Sequence, residues 1–252
     1  MTSFRELHQQ KSPFLLGNVW DVQSVKVFEN LGFKALGTSS AAIAHMLGYS
    51  DGEGMSFSEL EYIVKRIASS TSLPLSVDIE AGYSRDIFTL IEHVERLYDL
   101  GIVGINLEDS QVEKDRKLVA AERFGETLAS LKHHLRNQEM EIFLNARTDT
   151  FLLGLSHPVE ATINRIRIYE EAGADGIFVP FIEKEEDIAN IVTSTKLPVN
   201  VLSIPALPDF HTLKTLGVKR ISMGNAAHDL LYTQLEKVIS EVLDRQSFRP
   251  LF

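Results

Sequence analysis

The sequence predicts a (β/α)8 barrel of the TIM type, and three observations carry that prediction. Short apolar runs rich in Val, Ile, Leu and Phe alternate with longer amphipathic stretches from one end of the chain to the other. Eight such runs occur, each followed by a helical pattern, which favours a closed barrel over an open doubly wound sheet. The length of 252 residues suits a single barrel domain spanning 1–252, since one such fold takes about 250 residues.

The candidate strands start near Phe14, Ala35, Leu75, Val103, Ile142, Gly176, Val199 and Arg220. Between and after them lie helical patterns at 22–31, 57–70, 87–100, 120–137, 158–172, 185–195, 208–216 and 226–243. Leu31-Gly32, Leu100-Gly101, Ala172-Gly173 and Leu216-Gly217 each end one of these patterns about three residues before the next strand. Glycine there supplies the left-handed residue that stops a helix. The repeat speaks for architecture and carries no chemistry. A further short helix, 41–47, begins directly after the second strand. The last pattern, 226–243, places Leu230, Leu231, Leu235, Val238, Ile239, Val242 and Leu243 at helical spacing.

Almost every strand ends in a polar cluster. Asn18-Val19-Trp20-Asp21 closes the first and Thr38-Ser39-Ser40 the second. Asp78-Ile79-Glu80, Asn106-Leu107-Glu108-Asp109 and Asn145-Ala146-Arg147-Thr148-Asp149 follow the third to fifth. Asn200 and Ser203 follow the seventh, and Met223-Gly224-Asn225 the eighth. Strand C-termini converge on one mouth of such a barrel, where active sites are built.

Composition excludes several functions. Twenty-five Lys and Arg against 35 Asp and Glu leave a net charge of −10, the wrong sign for nucleic-acid binding. No apolar run approaches the roughly 18 residues of a membrane span, and residues 1–11 lack the apolar core of a signal peptide. A cytoplasmic protein is the expectation. With no cysteine, disulfides, thiolate metal sites and cysteine nucleophiles are all ruled out.

The clusters suggest chemistry. Asp78 and Glu80 stand two apart, so on an extended chain they point the same way, with Glu108 on the next strand. Like charges gathered in a water-poor mouth need a proton or a divalent cation between them. An all-oxygen donor set selects Mg²⁺, with Mn²⁺ next. The alternative is a helix cap and a pair with Arg85 or Arg147. Arg147 offers a planar fork for an acidic substrate group, and Asp149 could hold that fork; a purely structural Arg–Asp pair is the competing reading. Ser39 and Ser40, at a helix start, suggest an anion cradle, or for either alone a plain N-cap. A serine nucleophile lacks a nearby His partner. Gly48-Tyr49-Ser50-Asp51-Gly52-Glu53-Gly54 reads as a loop able to close over the mouth. None of the eight His residues shows ligand spacing, and His45, beside that loop, is the one to watch.

Taken in order, Val19-Trp20-Asp21, Gly37-Thr38-Ser39-Ser40-Ala41, Leu47-Gly48-Tyr49-Ser50-Asp51, Asp78-Ile79-Glu80-Ala81-Gly82-Tyr83, Gly104-Ile105-Asn106-Leu107-Glu108-Asp109, Asn145-Ala146-Arg147-Thr148-Asp149 and Ala172-Gly173-Ala174-Asp175-Gly176 resemble the isocitrate lyase/phosphoenolpyruvate mutase superfamily. The resemblance covers nearly the whole chain. It implies a Mg²⁺-dependent enzyme for small 2-oxo acids or phosphonates, with Asp78 holding the metal and Glu80 and Glu108 assisting. It further implies substrate contacts from Trp20, Ser39, Ser40, Ala41 and Arg147, with Asp51 on the gating loop. Asn200 is the candidate contact from the seventh strand. The catalytic group is expected to be Asp51, Arg147 and Glu108. Subunits of the superfamily commonly exchange a C-terminal helix, which implies a barrel with an extra C-terminal helix and a homo-oligomer built as a dimer of dimers; packing of 226–243 on its own barrel is the alternative.

Three departures narrow the reaction. Superfamily lyases carry a Lys-Cys-Gly-His-type loop after the fourth strand, where this chain reads Glu108-Asp109-Ser110-Gln111-Val112-Glu113-Lys114-Asp115. Mutases and phosphonopyruvate hydrolases tend to carry a His after the sixth strand, where Val179-Pro180-Phe181 stands. The usual Asp at the second acidic position is Glu80. The expectation is cleavage of a C–C bond through a metal-stabilised enolate, with oxaloacetate decarboxylation the least demanding case because CO₂ leaves without an acid. P–C bond chemistry comes second, and a non-catalytic 2-oxo acid binder third.

Overall fold

The computed structural model describes residues 3–112 and 114–252; Met1 and Thr2, part of the N-terminal stretch read above, and Glu113 lie outside the described residues. Its strands are β1 (Phe14–Val19), β2 (Leu36–Thr38), β3 (Leu75–Asp78), β4 (Gly104–Glu108), β5 (Ser110–Val112), β6 (Arg116–Leu118), β7 (Phe143–Arg147), β8 (Gly176–Val179), β9 (Val199–Leu202) and β10 (Arg220–Ser222). Eight of them close a parallel barrel in the order β1-β10-β9-β8-β7-β4-β3-β2. Every expected strand starts within one residue of its predicted position. The two remaining strands, β5 and β6, form an antiparallel hairpin above the barrel, pairing Ser110 with Leu118 and Val112 with Arg116.

The helices are α1 (Phe4–Leu7), α2 (Val22–Asn30), α3 (Ser40–Leu47), α4 (Phe57–Ala68), α5 (Ile87–Asp99), α6 (Ala121–Asn137), α7 (Pro158–Glu171), α8 (Glu185–Thr193), α9 (Phe210–Thr215) and α10 (Ala226–Arg245). Their ends follow the sequence. Asp21, Ser56, Asp86 and Asp209 each accept a first-turn N–H and so cap α2, α4, α5 and α9. Gly32, Gly101, Gly173 and Gly217, the four repeat glycines, all adopt φ between 78° and 91°, the left-handed conformation that a Cβ disfavours.

Two parts of the packing position the site. The main core lies between strands and helices, whereas Phe4, Leu7, Phe14, Leu16, Ala35 and Phe143 form a separate apolar plug at the N-terminal end. The eighth barrel helix and the C-terminal helix are one element, α10, followed only by a 3-10 turn at Arg249–Leu251. Of its residues only His228 is buried. Leu230, Leu231, Leu235, Ile239 and Leu243 are exposed, so the apolar stripe is not spent on this chain's own barrel. No helix among the described residues is long and apolar enough to cross a membrane.

Candidate active site at the barrel mouth

A cavity of about 270 Å³ opens at the C-terminal strand ends, lined among others by Ser39, Ser40, Ala41, Asp51, Asp78, Arg116 and Arg147. A larger hollow of about 710 Å³ lies beside α7, but none of its lining residues is buried. The first lies at the strand ends, where barrel active sites are built, and takes Asp51, Asp78, Arg116 and Arg147 into its lining, which makes it the candidate site.

Asp78 ends β3, and its carboxylate faces the cavity. Ser40 Oγ donates to Asp78 Oδ2 at 3.1 Å, and the Glu80 N–H approaches Oδ1 at 3.3 Å. Thr38 Oγ1 accepts the Asp78 N–H at 2.9 Å, tying β2 to β3. Among the described residues no cation lies within ion-pair distance of Asp78. Burial pushes its carboxyl above the ordinary value, with Arg147 opposing.

Arg147 sits at the end of β7 under a fixed geometry. Its Nε donates to Asp149 Oδ1 at 2.7 Å and its Nη2 to Oδ2 at 3.2 Å, while Nη1 lies 3.0 Å from Glu108 Oε2. Burial works against its charge, but Glu108 and Asp149 outweigh that and hold the guanidinium firmly protonated. Glu108 is clamped from the other side by Arg116 Nη1. Burial pushes its carboxyl upward and Arg147 opposes this. Arg116 also reaches Asp149 Oδ2 at 3.3 Å and Asp51 Oδ2 at 3.1 Å. It thereby latches the β5–β6 hairpin to the glycine-rich loop. Asp109 lies just behind, accepting from Arg165 Nη1 at 3.0 Å, Tyr169 Oη at 2.7 Å and the Asp149 N–H at 3.1 Å. It anchors the end of β7 to α7.

The structure departs from the expectations at four residues. Glu80 does not point with Asp78: β3 stops at Asp78, and Glu80 turns to φ 50°, so the two-residue alternation of a strand no longer applies. Its carboxylate instead accepts the Glu53 N–H at 2.6 Å and Tyr83 Oη at 2.7 Å. Burial and then Asp51 raise it to about 7. Glu108 is likewise engaged by arginines, so Asp78, Glu80 and Glu108 do not bring three carboxylate oxygens together within 4.8 Å. Trp20 lies outside the cavity lining, its ring edge-on to His228 at 5.2 Å. Asn200 lies below the mouth, where its amide pairs with Ser222 Oγ at 3.0 Å; Ser222, not Asn200, reaches the cavity.

The serines divide their roles. Ser39 is the N-cap of α3, accepting the Ala42 N–H at 3.3 Å. Ser40 bonds Asp78 through its hydroxyl, and the first-turn N–H groups of Ser40 and Ala41 have no intrahelical acceptor. Sequence reasoning missed Arg116, Phe178, Phe181 and Ser222, all in the lining. Arg116 had little signal: Ser110-Gln111-Val112 and Arg116-Lys117-Leu118 lack the polar–apolar alternation of a strand, and only the short polar turn between them suggests a hairpin.

A profile of the phosphoenolpyruvate phosphomutase family matches residues 4–243. An oxaloacetate decarboxylase of Pseudomonas savastanoi pv. phaseolicola is 30% identical over 90% of this chain and 78% of its own length. An uncharacterized protein of Mycobacterium tuberculosis is 35% identical over 90% of this chain and 83% of its own length. Among solved structures, a candidate phosphonomutase of Burkholderia cenocepacia superposes with a TM-score of 0.89 at 32% identity, covering 94% of this chain and 97% of that one. The chain belongs to the phosphoenolpyruvate phosphomutase family.

Proposed function

We propose that this chain is a Mg²⁺-dependent enzyme that breaks the C3–C4 bond of a small 2-oxo acid, with oxaloacetate as the substrate its residues serve best. One observation carries the reading: Asp78, a carboxylate with no cationic partner among the described residues, faces Arg116 and Arg147 across a cavity sized for a small dicarboxylate. Around the mouth, Asp51, Asp78, Glu80, Glu108 and Asp149 outnumber the two arginines, so a divalent cation beside Asp78 balances the charge. The donors are all oxygen, which suits Mg²⁺. Asp78 would hold the ion, while Glu80 and Glu108, already engaged by other partners, contribute negative field. When bound, the ion draws electron density from the 2-oxo oxygen and so eases departure of CO₂.

The protein's own groups do the rest. The N–H groups of Ser40 and Ala41, at the positive end of α3, receive one carboxylate of the substrate. Arg147, pre-oriented by Asp149, offers its charge to the other acidic end. The hairpin that replaces the cysteine loop presents Arg116, which binds acid and gives no proton. That suits a reaction whose carbon can be reprotonated by water. Asp51, latched to Arg116, closes the loop over the site and limits solvent. The exposed stripe of α10 supports a homo-oligomer assembled as a dimer of dimers, each subunit one barrel domain in the cytoplasm.

The test is pyruvate release from oxaloacetate with Mg²⁺ and after chelation. Asp78→Ala is expected to lose roughly a thousandfold or more in kcat/KM while keeping its circular dichroism spectrum; full activity would sink the assignment. P–C bond chemistry is the second reading, favoured by the family profile and by the phosphonomutase-like relative, and phosphonopyruvate in the same assay decides between them. No turnover of either, with Mg²⁺-dependent stabilisation by oxalate, would identify a binding protein.

A further inference from the structure

We infer that His45, His228 and Asp229 form a second metal site, for a borderline divalent cation of the Zn²⁺ type, at the edge of the mouth and separate from Asp78. One donor atom from each of the three lies within 4.8 Å of the other two. His45 is in the last turn of α3 and lines the cavity; His228 and Asp229 are in the first turn of α10. The His228 ring is held in place, edge-on to Trp20 at 5.2 Å and tilted against Tyr232 at 4.7 Å, with the His45 ring 6.1 Å away. Its Nδ1 lies 3.0 Å from Asp229 Oδ1, and the second Asp229 oxygen accepts from Asn225 Nδ2 at 2.6 Å.

The second observation is His228 Nε2, a buried ring nitrogen with no hydrogen-bond partner among the described residues, on a residue only 5% exposed. Nε2 lies across the ring from Asp229, so it carries the ring proton, and the unprotonated Nδ1, 3.0 Å from Asp229 Oδ1, is the nitrogen that shares an ion with that carboxylate. Two imidazoles and one carboxylate are the three-ligand set that binds Zn²⁺ and leaves a fourth position open; the same nitrogens suit Mg²⁺ poorly. His45 and Asp229 are exposed, so that fourth position faces solvent. Asn225 supplies the outer contact that orients a ligating carboxylate.

The location gives the ion a mechanical consequence. His45 precedes by three residues Gly48, the C-cap at which the Asp51 loop begins. A cation shared by His45 and His228 ties the root of that loop to α10, the helix with the uncovered apolar face.

The chain's single tryptophan touches His228, which provides a reporter. Untagged, chelator-stripped protein is titrated with ZnCl₂ by calorimetry and with CoCl₂ by tryptophan emission. The expected result is one Zn²⁺ per chain, retained against millimolar Mg²⁺, and quenching of Trp20 by Co²⁺. His45→Ala, an exposed substitution that leaves the core untouched, should weaken Zn²⁺ binding at least about tenfold; His228→Gln should do the same. Asp78→Ala should bind Zn²⁺ as the parent does, whatever its effect on turnover. Absence of stoichiometric Zn²⁺ binding, binding indifferent to His45→Ala, or binding lost with Asp78→Ala would each overturn the site.

Discussion

At the N-terminal end of the barrel, Phe4, Phe14 and Phe143 close around His8, whereas at the C-terminal end Asp78, Glu108 and Asp149 face Arg116 and Arg147. Both ends hold buried ionisable groups, but they treat charge in opposite ways. His8 stacks on Phe143 at 4.0 Å and gives its Nδ1 to the Phe4 carbonyl at 2.9 Å. Burial, helped by Arg220, lowers it to about 3. Arg220, wholly buried, rises from the base of β10 to Asn106 Oδ1 at 2.8 Å. Burial lowers it to about 9, with Asp78 opposing. At the mouth the guanidiniums gain carboxylate partners, and the charge is kept. The same loss of water therefore favours a neutral His8 at the sealed end and compensated ions at the open one.

The largest effect is expected from breaking the compensation. Arg147→Met leaves Glu108 and Asp149 facing each other with Arg116 alone between them. It should cost about 3–5 kcal/mol in urea denaturation, together with most of the catalytic activity. A loss below 1 kcal/mol would mean that the mouth tolerates unpaired charge and that the contrast between the ends is false.

The sealed end is tested by acid. His8 has its folded pKa depressed, so the unfolded chain takes up a proton first as pH falls below about 6.5. Its contribution to stability is complete above that value and is lost progressively down to about 3. Between pH 7 and pH 4 the loss amounts to about 3 kcal/mol. His8→Phe keeps the aromatic stack and should flatten this part of the stability profile. An unchanged slope in urea titrations at several pH values would show that His8 is not the group responsible.

A smaller effect on stability is expected at the latch. The Arg116–Asp51 pair spans 3.1 Å, but Asp51 is 41% exposed, so Asp51→Asn should cost less than about 1 kcal/mol. Its kcat/KM should nevertheless fall about tenfold or more, because an unlatched loop admits water. Full activity would remove Asp51 from the mechanism. The smallest effect on the barrel is expected for Leu235→Arg on α10, within about 0.5 kcal/mol for an exposed site. Sedimentation should nonetheless show smaller species than the parent forms.

Much of this contrast could be read from the residue order. Strand starts and the glycine turns follow from periodicity and backbone sterics, which act within a few residues. The polar ends of β3, β4 and β7 are visible for the same reason, since an interior strand must be apolar until it leaves the barrel. Asp78, Arg147 and the α3 start were found in this way. Glu80 was misplaced because one left-handed residue after a strand end cancels the alternation, and nothing in Asp-Ile-Glu announces it. Trp20 follows the end of β1 yet faces His228, and Asn200, the second residue of β9, stands below the mouth and pairs with Ser222. Arg116 escapes sequence reasoning because Ser110-Gln111-Val112 and Arg116-Lys117-Leu118, which pair as a hairpin, lack the alternation of a strand.

By itself the sequence determined the eight-fold alternation, the family, the sign of the charge and the absence of a thiol. All of these are properties of composition or of near neighbours along the chain. Only the tertiary structure decided which carboxylate stays without a cation, which arginines clamp Glu108, and that His45 meets His228 and Asp229. Those are contacts across 8 to 184 residues of chain. Whether charges there cancel or a ring nitrogen is left unpaired depends on distances of a few ångströms, which closing the barrel and placing α10 bring into being.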